Sequence, residues 1–554
     1  MCIKKFRIVS QIFFFILFCL LLFVLVSYPL AYAFNTRWFL RLNPLNSLLT
    51  FIAARSLPVT CVITGLAVAI GTVALGRVFC GFFCPLGAMI DFSDKFFFKS
   101  ISFSHIRPPQ FLQKLKYILL FALIILALAG ATIPWFIDPL SLSTRIMTLL
   151  VYPIPAIVTF TLQPLAGFSS SGAKLHVPFF YGGLATGAVL AGILTLSIWD
   201  RRFWCQYVCP SGALFGLLSV RPFYRRNTSK TCGGCSACVK TCPTRAIHKT
   251  DFSATSTAEC ILCGRCVEIK KDCSSFRFGA SAQFSSRARG ADIGRRQLIA
   301  GAASGMLMLP IVKADAMVRR DNTGRLIRPP GALPEALFNA RCLACGQCMK
   351  VCPTNTLQPC TLSDGFSRLS TPKVVPRIGG CEEKCYLCGH VCPTSAIRKL
   401  EYEEKRFVKI GTAVIDRHRC LAWEQKKECL VCDEVCPYNA IESKIVDTVK
   451  GPFKVPIIDE SLCIGCGMCE QQCPIFDTAA IVVYKFGENR RAKGAYVNEA
   501  QKQMILEQRG RSDSAHATNF GEEPSAVKPE AKPEAGSKPP ASGTGNVPSS
   551  GFSF

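Results

Sequence analysis

The sequence has no Rossmann glycine fingerprint following a strand, no P-loop and no C-x-x-C-H run. Those absences exclude dinucleotide, nucleoside triphosphate and c-type haem sites of the familiar kinds. No catalytic constellation stands beside its cysteines, and His390 within CGHVCP and His418 near Cys420 read as loop histidines. Acidic residues are also scarce: 37 Asp and Glu stand against 64 Lys and Arg, a formal charge of +27. Such a surplus raises nucleic acid as a partner, but the basic residues are spread along the chain and thicken beside apolar segments, so no nucleic acid partner is expected. The formal charge overstates the real one if metal clusters are bound, because an oxidised cluster with four thiolates carries roughly -2 and six would remove roughly 12 units.

Apolar residues and cysteine are plentiful. In 554 residues, 50% are hydrophobic, which is high for a soluble protein and predicts several domains with membrane segments. The 32 cysteines would suggest a disulfide framework in a short secreted chain, but nearly all fall in tight C-x2-C and C-x3-C-P runs. That spacing reads as metal ligation.

Four apolar stretches, about 9–33, 57–79, 115–137 and 178–199, approach the roughly 20 residues that a bilayer core requires. A fifth, 146–166, is broken by Pro153, Pro155 and Pro164 and followed by a Gly/Ser-rich turn, so it is expected to be extracytoplasmic or re-entrant. The start (Lys4, Lys5, Arg7), the second loop (Lys95, Lys99, Arg107, Lys114, Lys116) and the run after the fourth stretch (Arg201, Arg202, Arg221, Arg225, Arg226, Lys230) are basic. Four spans put all three on the cytoplasmic side, although Arg37, Arg41 and Arg55 weaken the contrast in the first loop.

Two matching motifs end the second and fourth stretches. Cys80-Gly-Phe-Phe-Cys84-Pro85-Leu-Gly-Ala and Cys205-Gln-Tyr-Val-Cys209-Pro210-Ser-Gly-Ala share C-x3-C-P-x-G-A, an internal repeat at one membrane face. If each is helical, cysteines at i and i+4 share a face, and the four thiols could hold a cluster, form redox-active dithiol pairs or serve structure alone. Cys2, Cys19 and Cys61 lack partners at useful spacing and are assigned to packing.

Residues 232–273 carry CGGCSACVKTCP and CILCGRCVEIKKDC. The first run is the bacterial C-x2-C-x2-C-x3-C-P pattern, in which three cysteines wrap one cluster and the fourth reaches to the other. Crossed ligation groups Cys232, Cys235, Cys238 and Cys273, and separately Cys260, Cys263, Cys266 and Cys242. The second run has six residues before Cys273 and no proline after it. Zinc ribbons also use C-x2-C pairs, but three closely spaced cysteines plus a fourth before proline favour iron–sulfur.

Residues 285–316 combine a basic run, paired Arg295 and Arg296, an apolar stretch and an Ala314-Asp-Ala316 ending. That order predicts an internal twin-arginine signal, with an apolar part short and Gly/Ala-rich for a stable anchor. The competing expectation is a short amphipathic linker with everything on the cytoplasmic side. Four cysteine groups follow: Cys342, Cys345, Cys348, Cys352; Cys381, Cys385, Cys388, Cys392; Cys420, Cys429, Cys432, Cys436; and Cys463, Cys466, Cys469, Cys473. Each ends in C-P, and the wider first gaps admit loop insertions. Outer groups are expected to pair with each other and inner with inner, so that Cys473 serves the first group's cluster and Cys352 the last group's. Cys360 has no role, and beyond about 508 the composition is that of a disordered tail.

On these motifs residues 1–280 resemble the NapH/MauN family of ferredoxin-type membrane proteins, and residues 290–485 resemble the NapG/MauM family of exported four-cluster proteins. The resemblance implies a fusion in which a membrane domain oxidises quinol from the quinone pool and passes electrons to a periplasmic reductase or cytochrome. The x8 gap after Cys420 and the fusion itself depart from the pattern. The expected protein is therefore multidomain. An α-helical membrane domain of about four spans (1–225) precedes an α+β two-cluster ferredoxin module (226–284) and a basic linker with the signal-like segment (285–320). An α+β four-cluster ferredoxin-like module (321–490) and a polar tail (491–554) complete it. About six [4Fe-4S] clusters are expected, and a seventh if Cys80, Cys84, Cys205 and Cys209 also ligate. The expected location is the bacterial inner membrane, with the two-cluster module cytoplasmic and the four-cluster module periplasmic. Two rival functions fit the same motifs, a maturation factor for a redox enzyme and a subunit of a cytoplasm-facing complex.

Overall fold

The computed structural model describes residues 3–25, 31, 37–56, 59–96, 110–130, 137–155, 157, 178–229, 232, 235–248, 251–269, 273–279, 288–291, 293–318, 324–448 and 451–508. The Gly/Ser-rich turn after 166 and the tail beyond 508 lie outside these residues.

Largely apolar runs wind into helices α1 (Ile3–Leu20), α2 (Pro44–Ala54), α3 (Val59–Leu75), α4 (Pro85–Phe96), α5 (Leu115–Leu128), α6 (Pro139–Ile146), α7 (Gly183–Trp199) and α8 (Pro210–Leu218). Proline at the first position starts α2, α6 and α8, where its missing N–H costs nothing, and Asn43, Asp138 and Cys209 cap those three helices. By length and composition two helical stretches can cross a membrane, Ile3–Val24 and Arg295–Ala314, while α2, α3 and α7 are apolar but shorter. The 17 residues of α3 or α7 extend about 26 Å, close to a bilayer core. Large apolar side chains point outward along these helices, among them Ile63, Leu66, Ile70, Leu184 and Leu307.

The expected short signal-like segment is instead a continuous 24-residue helix, α9 (Arg295–Val318), packed along α5. Gly301 and Gly305 make that seam. A Cβ on Gly301 would sit 2.7 Å from the Phe121 Cβ, and one on Gly305 would sit 2.9 Å from the Ala122 carbonyl oxygen. Small residues one turn apart let two backbones approach, so the Gly/Ala content that weakens this segment's hydropathy is what allows it to dock.

Of the stretch 146–166, only 146–155 and 157 are described. α6 and the wider turn Met147–Val151 lie inside the bundle, with Pro139–Leu149 all buried.

Two α+β modules sit at opposite ends of the helices. In the first, β1 (Tyr224–Thr228) pairs antiparallel with β2 (Ser274–Phe278). It meets the end bearing Ile3, which packs on Gly264, and Lys116, which binds Glu259. In the second, β3 (Leu357–Pro359) pairs with β4 (Pro372–Val374), β5 (Thr412–Ile415) with β8 (Ile481–Tyr484), and β6 (Ile441–Thr448) with β7 (Gly451–Ile458), all antiparallel. This module docks on the other end through Arg41 to the Pro393 carbonyl (2.9 Å), Arg341 to Ser56 (2.7 Å) and Asn355 to the Phe179 carbonyl (2.9 Å). α9 runs from the first end to the second, where Val312 packs with Leu126 and Ala344.

Candidate iron–sulfur sites

The C-x2-C-x2-C loops curl because residues between the cysteines adopt left-handed backbone, as at Leu262 (φ 54°) and at Gly465 and Gly467 (φ 77° and 82°). A Cβ on Gly465 would meet the Gly411 backbone at 2.6 Å, so glycine is required there by space as well as by φ. Backbone N–H groups then point at sulfur. Ala344 donates to Cys342 Sγ (3.4 Å), Ala246 to Cys242 (3.3 Å), Ala440 to Cys436 (3.4 Å), Ala480 to Cys473 (3.4 Å) and Ala413 to Cys463 (3.5 Å). Such donors favour thiolate over thiol.

Around these loops the cysteines line shared cavities. Cys232, Cys235, Cys238 and Cys273 line one, together with Cys266 of the neighbouring set. Cys242 faces Cys263 and Cys260, which completes the crossed arrangement expected for the first module. In the second module the expected pairing of outer and inner groups is not what forms. Cys473 lines a cavity with Cys420, Cys429 and Cys432, and Cys436 lines one with Cys463, Cys466 and Cys469. Cys392 faces Cys342 and Cys345, while Cys352 and Cys388 face Cys381. Adjacent groups therefore exchange their fourth cysteines, first with second and third with fourth.

Among the described residues no three or more His, Cys, Asp or Glu side chains converge as they would on a single metal ion. Zn2+ needs four ligands converged on one point, whereas these sulfurs surround a space, as ligands of a multi-iron cluster do. Burial and neighbouring thiols push Cys345 and Cys432 up to about 12, and Cys266 likewise. Bare thiols here keep their protons at neutral pH, so loading a site with metal displaces them.

Cys80, Cys84, Cys205 and Cys209 come together. Cys84 faces Cys205 and Cys80, and Cys209 faces all three others. The motifs are not α-helical as expected: Phe79–Phe83 and Trp204–Val208 form wider π turns, closed by Cys84 N–H to the Phe79 carbonyl (3.1 Å) and Cys209 N–H to the Trp204 carbonyl (2.9 Å). Each second cysteine is extended and precedes a Pro-initiated helix, and Gly212 N–H donates to Cys209 Sγ (3.2 Å). The quartet lies at the end of the bundle that meets the first module, where Gly81 abuts the Ile261 carbonyl and Gln206 donates to the Pro243 carbonyl (3.0 Å). Ser211, two residues past Cys209, hydrogen-bonds the fully buried Asp138 (3.0 Å) that caps α6. From Asp138 to Thr148, which reaches the Cys345 carbonyl, is roughly 15 Å along the helix. One apolar cluster joins Cys80, Cys84 and Cys205 through Leu140, Leu142 and Ile146 to Leu343 and Cys345.

The repeat also extends upstream, a feature that comparing the two segments three residues earlier reveals: Arg77 precedes Cys80 as Arg202 precedes Cys205. Both arginines are buried. Arg77 Nε has no hydrogen-bond acceptor among the described residues, nor does Nε1 of Trp204 beside Cys205. Buried donors without acceptors beside four thiols suit a group that brings acceptor sulfurs of its own. Elsewhere, Cys61 donates to the Pro393 carbonyl (3.3 Å) and Cys19 packs with apolar residues, while Cys360 is buried beside Arg328. The His418 side chain is 95% exposed, and the His390 ring packs edge-on to Tyr386.

Comparison with known proteins agrees with this layout. Models described as 4Fe-4S binding domains match residues 57–104 and 183–231, which contain the two C-x3-C-P motifs, and residues 338–358. A 4Fe-4S dicluster domain model matches 427–476, which contains the third group from Cys429 onward and the whole fourth group. The methylamine utilization ferredoxin-type protein MauM of Methylophilus methylotrophus is 34% identical over 191 residues, 33% of this chain and 80% of the relative. Ferredoxin-type protein NapG of Escherichia coli is 35% identical over 168 residues, 29% of this chain and 71% of the relative. A putative electron transport protein of E. coli, YccM, is 29% identical over 198 residues, 35% of this chain and 48% of the relative. Relatives covered over more than two thirds of their length, together with the 4Fe-4S models that match, make this an iron–sulfur electron-transfer protein that belongs to the MauM and NapG family of ferredoxin-type proteins.

Proposed function

We propose that the chain is a membrane-bound carrier that takes electrons from quinol and delivers them across the membrane to a periplasmic reductase or cytochrome. The observation that carries this reading is the continuity of the cysteine sets from one end of the bundle to the other. Cys266 borders the Cys232 set, and Gly81 lies against the Ile261 carbonyl so closely that a Cβ would approach to 2.3 Å. Beyond the membrane quartet, the apolar contact through α6 leads to Cys345. Cys348 packs with Cys388, Cys381 N–H donates to the Cys466 carbonyl (2.7 Å), and Cys469 faces Cys432. Seven four-cysteine sets thus stand in series, those of Cys232, Cys260, Cys80, Cys342, Cys381, Cys463 and Cys420. Each [4Fe-4S] cluster, when bound, takes up and gives up one electron.

The outward apolar side chains of α1, α3, α7 and α9 suit lipid contact, and α9 adds a span to the four expected from hydropathy. With its start among the basic loops and its end at the second module, α9 carries the chain outward and leaves the two modules on opposite sides of the membrane. Oxidation of one quinol to quinone releases two protons and two electrons, which the series would carry one at a time to the partner.

The test uses the full chain purified anaerobically in lipid nanodiscs. About 28 irons per chain are expected, and a short-chain quinol should bleach the iron–sulfur absorbance that dithionite bleaches. Dithionite reduction without any quinol reduction would refute the quinol assignment.

A further inference from the structure

Arg77 and Arg202 each cross to the other half of the repeat. Arg202 Nη1 donates to the Cys80 carbonyl (3.2 Å) and its Nη2 to the Gly87 carbonyl (3.3 Å). In the reciprocal place, Arg77 reaches Gly212, where a Cβ would come within 2.9 Å of its Nη2. The glycine of each P-x-G-A is thus where the opposite guanidinium passes, and a larger residue would displace it. Both arginines are all but excluded from solvent, at 1% and 0% exposure.

Neither has a carboxylate to itself. Asp91 accepts from Arg202 (2.7 and 2.9 Å) but also from Arg7, and Glu259 accepts from Arg77 (3.2 Å) but also from Lys116 (2.5 and 2.6 Å). Arg7 and Lys116 are themselves buried. Each network holds two buried cations on one carboxylate, and around the first, Asp94, Arg201 and Arg265 add two cations against one carboxylate, so positive charge stays in excess beside the four cysteines. The buried Asp138 is faced by Arg145 and does not alter that balance. A buried charge needs a partner, and four neutral thiols or two disulfides supply none. A [4Fe-4S] cluster with four thiolates carries roughly -2 when oxidised, which offsets that excess.

We infer that Arg77 and Arg202 are a reciprocal pair of charge-compensating residues that hold an anionic four-thiolate cluster on Cys80, Cys84, Cys205 and Cys209 and raise its reduction potential. This rests on the reading of that quartet as a cluster site, and the test separates the two. On the full chain in nanodiscs, iron content and an EPR-monitored redox titration are compared between variants. Cys80→Ser with Cys209→Ser should lose about four irons and one titrating signal. If it loses neither, the quartet holds no cluster.

With that signal assigned, Arg77→Gln and Arg202→Gln should move it to lower potential or lose the same four irons, while the Lys variants, which keep the charge, hold the native potential. Asp91→Asn removes a negative charge and should move the signal upward. Unchanged iron and potential in both Gln variants would overturn the assignment. So would a downward shift in Asp91→Asn, because general disruption moves every variant one way whereas charge compensation moves these in opposite directions.

Discussion

Cys473 illustrates how much a single side chain decides. By chain order it could serve any of the three other groups of the second module, and only its position beside Cys420, Cys429 and Cys432 selects one. Replacing Cys473 with serine should therefore disturb one cluster, that of the Cys420 set, and lower the iron content by about four or fewer atoms per chain. The sets of Cys342 and Cys381 should keep their EPR signals. Loss of the Cys342 signal instead would restore the pairing of outer groups. A different kind of residue holds the same module's core: Arg328, 1% exposed, binds Glu335 (2.7 Å), Thr371 Oγ1 (2.9 Å) and the Pro372 carbonyl (2.7 Å) and lies over the Phe338 ring. Arg328 and Arg490 hold the Glu335 carboxyl well below the usual carboxylate range. Its contribution is therefore complete above the ordinary glutamate value near 4.3 and is lost only as pH falls well below it.

Among the elements, α9 carries the largest revision. A run with paired arginines and modest hydropathy reads as a signal-like segment, and in the fold its neighbour is α5, whose ridge receives Gly301 and Gly305. Leucine at both positions should force the helices apart and destabilise the bundle by about 1–3 kcal/mol, measured as a lower unfolding temperature in detergent. Unchanged unfolding would mean that the seam does not hold α9. The Ala314-Asp-Ala316 ending lies within the helix, which presents no extended segment to a peptidase. The chain should accordingly migrate as one species near 60.7 kDa. The π turns teach the same lesson on a smaller scale, since C-x3-C spacing suits an α-turn equally well and the choice was made by the proline that begins the next helix.

At the level of the whole molecule, the separation of the two modules by the length of the bundle is what gives the cysteine series a direction. Protease added to spheroplasts should digest the chain beyond about 324 and spare a reporter at its start. Replacing both Arg295 and Arg296 with lysine should protect the second module if the twin-arginine route exports it. Protection of that module in the unaltered protein would place every cluster on one side and leave a cytoplasmic acceptor. The insertion after Cys420 sits at the far end of the series, where Trp423 donates to the Pro456 carbonyl (3.2 Å) at the base of the β6–β7 hairpin.

Local spacing by itself pointed to the chemistry of this protein, since grouped cysteines ending in C-P suit iron–sulfur rather than zinc or disulfide, in keeping with the 4Fe-4S models that match it. It also pointed to the crossed arrangement of the first module's cysteines, because there only one partner group lies nearby in the chain. What spacing could not decide was anything that depends on two segments meeting. Pairing within the second module, the close seam of α9 on α5, the contact of the Cys80 quartet with the first module and the crossing of Arg77 and Arg202 all arise from packing between residues far apart in sequence. A motif records which ligands a metal will accept, whereas distance through space, and with it the order of the series, exists only once the helices have packed.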